Sequence, residues 1–455
     1  MHHVEQAVEY LHNRRQALID SWLEFVRIPS VSAQSEHAGD MAAATGWLEQ
    51  RLARSGFDCQ VHQTAGHPAL LARWCELPKA PTVLIYGHYD VQPPGDEGLW
   101  DSPPFEPTVR DGAVFGRGAA DDKGQLLTMV AAVEAWHAVA GALPVNVKFL
   151  LEGEEEIGSP NLPSLIESHQ EELACDVVLI CDTAAFAPGT PAITYGTKGL
   201  VYKEVTLIGP DRDLHSGSFG GTVANPANVL AEVIASLTDG DGRVTIPGFY
   251  DDVQPLGDAE RKSLAALDFD EAAYLATLGS PALTGEAGYT TLQRRWARPT
   301  LDVNGLSAGY QGQGASTIIP ARATAKISMR LVPQQDPEAI SASFDRLVRQ
   351  VCGDRVRVQI AEHGLCRAYM APLDSQWMAA ARRALEAGFG QKPALIREGG
   401  TLPILPTFKE MLGADCLLLG FCRPDCNAHG PNEFFHIEDF LAGAVTGAHL
   451  LAELV

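Results

Sequence analysis

The chain has 455 residues, 46% of them hydrophobic and 20% charged. That is enough for two or three domains of ordinary size, with nothing disordered or fibrous in the composition. Its 57 acidic against 34 basic residues give a net charge of −23, which argues against nucleic acid or an anionic membrane as the main partner, because both need basic surface.

In chain order, residues 4–26 and 40–56 carry helical periodicity. The first of these has no apolar core of the kind a secretory signal needs, and no apolar run reaches the roughly 18–20 residues that span a bilayer. The nine cysteines are odd in number and scattered, which fits a reducing cytoplasm better than a disulfide framework. TVLIYG (82–87) reads as a buried strand, followed by a long Pro, Gly and Asp-rich loop of the length that compact domains keep for function. A short strand then leads through GRGAADD into a helix. VNVKFLLEG (145–153) is a second buried strand, 161–173 a helix, and CDVVLICDT (175–183) a third strand. Strand, helix and strand in this order imply a mostly parallel mixed sheet flanked by helices.

Near Ile193 the character changes. KGLVYKEVTLIG (198–209) and ATAKISMRLVP (323–333) alternate like half-exposed strands, with helical segments at 223–238 and 336–351 and a further strand at 356–364. Residues 195–368 therefore read as an inserted α+β domain, and 1–194 with 369–455 as the α/β domain around it. Beyond 370 come a helix (373–389), a Gly-rich loop at 397–403, the apolar strand CLLLGF (416–421) and a last helix from about Ile437 to Val455.

Chemistry concentrates at strand ends. His88 follows TVLIYG and Asp90 lies two residues on. Asp121 and Asp122 open a helix, Glu154, Glu155 and Glu156 follow a buried strand, Asp182 ends another, and His429 follows CLLLGF. Each alone has a plain explanation: a loop histidine, an N-cap, a solvated acidic run, a turn. Together, at the carboxyl ends of successive strands where open α/β sheets place their chemistry, they supply five ligand positions for two divalent ions sharing one carboxylate. Imidazole and oxygen donors without thiolate suit Zn²⁺, Mn²⁺ or Co²⁺. Cys422, Cys426 and His429 lack a fourth ligand for a structural zinc. GLSAG (305–309) mimics a nucleophile elbow, but glycines rather than a helix follow it. GRGAAD lacks the third glycine of a dinucleotide fingerprint.

The segments YGHYDVQPPG, GRGAADDKGQ, EGEEEIGS, DLHSGSFGG, STIIPARATAKISMRLVP, REGGTLP and NAHGPNE, with the Asp182 strand end, resemble the M20 family of di-metal peptidases. The likeness is greatest to its cytosolic dipeptidase branch, with carnosinase-like enzymes nearby. The resemblance implies that His88, Asp121 and Asp182 bind one metal and Asp121, Glu156 and His429 the other. It further implies Glu155 as general base and acid, Asp90 orienting His88, and a cis Asp121–Asp122 peptide. The inserted domain becomes a lid and dimerisation surface. His215 becomes an oxyanion donor offered across a homodimer, and Thr317, Arg330, Gly400 and Thr401 hold the substrate, Arg330 by its carboxylate. The expected reaction is amide hydrolysis of dipeptides or similar small substrates. An N-acyl or N-carbamoyl amino-acid hydrolase is the alternative, and a silent scaffold on the same fold a third reading.

Overall fold

The computed structural model describes residues 2–455 and divides into two compact units. The first comprises the residues up to Tyr195 together with Ala371–Ile396 and Thr407–Val455, and the second Gly196–Met370 with Arg397–Pro406.

The first unit is built on a mixed sheet. Its strands run in the order Asp58–His62, Ala69–Trp74, Asn146–Glu152, Thr82–His88, Val177–Ala184, Asp415–Cys422 and Ala192–Thr197, with Ala394–Glu398 also on the last of these. The central pairings are parallel and the outer ones antiparallel. The centre is parallel because its strands are continuously apolar. Val83, Leu84, Val177, Val178, Leu417 and Leu418 are buried, as strands covered on both faces must be. The helix Lys123–Ala140 is buried along most of its length and packs on the helix Ile437–Glu453. Gly141, in the left-handed region at φ 67°, ends it with a bond from its N–H to the His137 carbonyl.

Gly420 permits a close approach between strands. A Cβ there would stand 2.0 Å from the carbonyl oxygen of Ala184, at the bulge where Asp415–Cys422 slips against Val177–Ala184. A small sheet of Thr108–Arg110, Ala113–Phe115 and Phe434–His436 ties the segment after His429 to the segment before Asp121.

The second unit carries a four-stranded antiparallel sheet, ordered Thr300–Ala308, Arg322–Leu331, Gly199–Ile208, Arg357–Cys366. Gly199–Ile208 alternates buried and half-buried residues without a break, the mark of a sheet packed on one face. Helices Pro226–Ala235 and Pro337–Cys352 cover that face through Val229, Val233, Ile340 and Phe344. Asp336 caps the second of them, accepting from the N–H groups of Glu338 and Ala339 at 2.9 and 3.1 Å.

Three features of these elements have physical causes. The N-terminal helix is interrupted at Arg14, giving His2–Asn13 and Arg15–Val26, where Asn13 is a weak helix former. GLSAG lies mostly inside the strand Thr300–Ala308, so no helix follows Ser307. Residues 258–296 hold three short helices, Asp258–Ala265, Glu271–Leu278 and Thr291–Trp296, each too brief to print a 3.6-residue period. Among the described residues no helix is long and apolar enough to cross a membrane.

Candidate metal centre

The strands Thr82–His88, Asn146–Glu152, Val177–Ala184 and Asp415–Cys422 run in one direction, so their carboxyl ends share one edge of the first unit. That edge delivers His88 as the last residue of its strand, Glu155 and Glu156 just beyond theirs, Asp182 near the end of the third, and His429 in the turn after the fourth. Asp121 sits two residues before the helix that opens at Lys123.

Two groups of ligand atoms result, each with all members within 4.8 Å of one another: His88, Asp121 and Asp182, and Asp121, Glu156 and His429. Asp121 belongs to both. Its Oδ1 lies 3.1 Å from His88 Nε2 and its Oδ2 lies 2.9 Å from His429 Nε2. His88 Nε2 is 3.6 Å from Asp182 Oδ2, and His429 Nε2 is 3.3 Å from Glu156 Oε2. One carboxylate thus turns one oxygen to each group. Cys422 and Cys426 take no place in either group.

The charges show what such a cluster asks for. Burial works to raise Asp121, but hydrogen bonds from His429 and His88 outweigh it and hold the carboxyl below its ordinary range. Burial and the neighbouring Asp121 push Asp182 up to about 6. Burial pushes Glu155 up to about 8, with Asp182, Glu156 and Asp121 adding to it and His88 opposing. Hydrogen bonds to Asp121 and Glu156 raise His429 to about 10. Burial and like charge make Asp182 and Glu155 costly to ionise here unless cations compensate them. Nitrogen and oxygen donors in two such groups fit a pair of divalent ions, and these five residues are the ones that could hold them.

The surrounding contacts fix the ligands. His88 Nδ1 lies 3.1 Å from the Asp90 carbonyl oxygen and 3.3 Å from its carboxylate, leaving Nε2 to face the ligand group. The same Asp90 carboxylate accepts from the backbone N–H groups of Glu155 and Glu156 at 3.3 and 3.1 Å. Glu154 turns away, to the His67 N–H at 3.0 Å and to Asn161. The Asp121–Asp122 peptide is cis.

Two residues without an assigned role in the sequence reading stand here. Glu433 is fully buried and accepts from Arg117 Nη1 at 2.7 Å and from the backbone N–H groups of Gly118, Ala120 and Asp121 at 3.0, 2.9 and 3.0 Å. It shapes the loop that presents Asp121. The only sequence signal for it was its place at the end of NAHGPNE. Gln92 donates from Nε2 to Glu156 Oε2 at 2.8 Å, and a loop amide of that kind leaves no pattern to read.

The remaining site candidates belong to the second unit, where they form two groups. His215 pairs with Ile318 beside Thr317, and the Thr317 carbonyl accepts from the Ser216 N–H at 2.9 Å. His215 Nδ1 accepts from the N–H groups of Gly217 and Ser218 at 3.0 and 3.3 Å, so the ring proton belongs on Nε2. Arg330 Nη1 donates to Thr401 Oγ1 at 2.7 Å, and the Gly400 carbonyl accepts from the Lys198 N–H at 3.0 Å. Arg330 lines a cavity of about 400 Å³ with Lys198, Arg294, Arg295, Arg298 and Asp302, a strongly basic lining for one cavity.

A family model, peptidase family M20/M25/M40, matches residues 84–453. The Cys-Gly metallodipeptidase of Schizosaccharomyces pombe is 32% identical over 97% of this chain and 96% of its own length. The Beta-Ala-His dipeptidase of Homo sapiens is 31% identical over 99% and 92% respectively. Among solved structures, an M20 family metallo-carboxypeptidase from Sulfolobus solfataricus matches with a TM-score of 0.85 at 33% identity, over 96% of this chain and 99% of its own. Likeness of this extent, carried by a ligand set that suits divalent metal ions, is decisive: the chain belongs to peptidase family M20/M25/M40 as a metallopeptidase.

Proposed function

We propose that this protein hydrolyses dipeptides with two divalent metal ions, Zn²⁺ by preference, at the centre formed by His88, Asp121, Glu156, Asp182 and His429. The reading is carried by one observation: two three-residue ligand groups meet on the single carboxylate of Asp121. Ions held there would supply Lewis acidity toward the scissile carbonyl and an activated water at neutral pH.

The chain's own residues do the rest. Glu155 accepts the proton of the attacking water and returns it to the leaving amine, a task its upward-shifted carboxyl suits. Asp90 fixes His88 on one side and the backbone of Glu155 and Glu156 on the other. His215, with its proton on Nε2, donates to the developing oxyanion, and we assign it to the neighbouring copy's centre in a homodimer. Arg330 grips the substrate's terminal carboxylate, since a planar and permanently charged fork matches that group. Thr401 steadies the arginine, and Thr317 and the Gly400 backbone complete the hold. Residues 195–368 serve as lid and dimerisation surface, and the enzyme works in the cytoplasm. The names of the relatives, one for Cys-Gly and one for Beta-Ala-His, favour dipeptides as the substrate class.

The test is a hydrolysis panel on chelator-stripped protein reconstituted with Zn²⁺, Mn²⁺ or Co²⁺. Cys-Gly and β-Ala-His are set against longer peptides and N-acetyl and N-carbamoyl amino acids. Metal-dependent cleavage of the dipeptides is expected, fastest with Zn²⁺. Turnover of the acylated amino acids alone would make the protein a deacylase, and turnover of longer peptides alone a carboxypeptidase.

A further inference from the structure

A second set of metal-ligating side chains lies outside the centre described above. His62 ends the edge strand Asp58–His62, His169 stands between the helices Leu162–Ser168 and Gln170–Leu173, and Glu172 lies in the second of these. Each offers one ligand atom, and the three atoms lie within 4.8 Å of one another. The edge strand runs parallel to Thr82–His88, because two antiparallel pairings separate it from Asn146–Glu152. His62 therefore sits at the same end of the sheet as His88, three strand spacings away, roughly 14 Å. No residue is shared with the two groups on Asp121.

Two features of this cluster point to an ion. The first is an unengaged donor atom: His62 Nε2 is buried and has no hydrogen-bond partner among the described residues, so it is not committed to another group. The second is preorganisation. His169 Nδ1 lies 3.0 Å from the Leu165 carbonyl oxygen. A carbonyl can only accept, so Nδ1 carries the proton and Nε2 keeps its lone pair. Metal-binding histidines are commonly oriented by such a bond. The two imidazoles meet edge to face, with ring centroids 4.3 Å apart at 70°, and neither donates to the other. Glu172 has one oxygen 3.3 Å from Arg73 Nη1, and its second oxygen is not engaged by that arginine. A tetrahedral ion with bonds of about 2.0 Å holds its donors about 3.3 Å apart. The three atoms lie within 4.8 Å of one another, near that spacing.

We propose that His62, His169 and Glu172 form an additional binding site for one divalent transition-metal ion of the zinc class, with a water-accessible fourth position. Two imidazoles and one carboxylate without thiolate select a borderline cation over Mg²⁺ or Ca²⁺. The site's effect is mechanical. It clamps the edge strand to the helical segment that follows Glu154, Glu155 and Glu156, and Asn161, at the head of that segment, is already bonded to Glu154.

The experiment counts metal. The protein and its His62→Ala and His169→Ala variants are equilibrated with excess Zn²⁺, freed of unbound ion by gel filtration, and assayed for zinc per chain. Each variant is expected to hold one zinc fewer than the parent, with dipeptide turnover within about twofold of it, since no ligand on Asp121 is touched. Equal zinc content in parent and folded variants would overturn the proposal. So would the loss of two ions together with activity, which would make the cluster an element of the catalytic centre. Should either alanine variant fail to fold, Glu172→Gln keeps the shape of the side chain. It is expected to weaken the additional zinc about tenfold or more, and an unchanged affinity would overturn the site. The zinc difference stands whatever substrate the enzyme prefers.

Discussion

Glu155 and Glu156 are adjacent in sequence yet proposed for different work, and Asp90 pins both of their backbone N–H groups. Glu156 is fixed by Gln92 beside His429, while burial raises the Glu155 carboxyl. On the proposed roles, Glu155→Gln removes the proton acceptor and no ligand. Turnover should fall on the order of 10² to 10⁴-fold while zinc per chain stays at the parent value, which metal analysis beside steady-state kinetics would check. A second residue-scale prediction concerns Lys198. Burial, reinforced by Arg330, lowers its pKa from 10.5 to about 8. A base with a depressed folded pKa favours the unfolded chain as a proton acceptor, so stability rises with pH between 8 and 10.5. Below pH 8 the charged Lys198 costs about 3 kcal/mol. Lys198→Met should gain roughly that much in urea unfolding at pH 7, and the gain should shrink steadily between about pH 8 and 10. At this scale, residues named by type and place, such as His88, Asp121 and His429, were legible in the sequence. Glu433 and Gln92 were not, because a carboxylate that satisfies backbone N–H groups and an amide that steadies a ligand have no spacing rule.

Among the elements, the central strands announced themselves and the outer ones did not. TVLIYG and CLLLGF are apolar throughout because both faces are covered, and both form strands one or two residues longer than expected, Thr82–His88 and Asp415–Cys422. The edge strand Asp58–His62 shows only exposed and half-buried residues, so its sequence DCQVH gives no apolar pattern. Two of the three short helices of 258–296 carry side-chain caps instead. Thr290 and Gln293 form a reciprocal capping box, and Asp270 accepts from the N–H groups of Ala272 and Ala273, local signals that span four residues each. Close contacts support predictions at this scale. Gly420→Ala would force a methyl group against the Ala184 carbonyl and push apart the strands that meet beside Asp182, at a cost of at least about 2 kcal/mol in urea unfolding. Glu433→Gln would leave Arg117, itself 1% exposed, without its countercharge. A loss of about 3–5 kcal/mol is expected, with metal affinity weakened about 10 to 100-fold as the Asp121 loop slackens, and metal-competition titration would separate the two effects.

For the whole molecule, two units with separate cores divide the labour. The switch between buried and alternating strands led the sequence reading to expect an inserted domain at 195–368, and the second unit comprises Gly196–Met370 with Arg397–Pro406. The grouping of Arg397–Pro406 with the second unit was not legible, because the segment follows a strand of the first and only its contacts, such as Gly400 with Lys198 and Thr401 with Arg330, reveal it. All five proposed ligands lie in the first unit. Binding free energy is therefore spent on ordering that unit, and chelation should raise amide hydrogen exchange around residues 88–92, 118–122, 154–157 and 427–433. The sheet strands Gly199–Ile208 and Arg322–Leu331 should keep their protection. Equal deprotection of both units would contradict this division.

Glu433 has one more consequence, in the order of events during synthesis. It holds the backbone on which Asp121 depends, and His429 precedes it by four positions. A growing polypeptide that has already left the ribosome through Asp182 owns every proposed ligand except His429, but not the support that aims the shared one. Hydrolytic competence therefore arrives only once translation has passed residue 433. Until then the growing polypeptide lacks both His429 and the carboxylate that steadies the loop of Asp121.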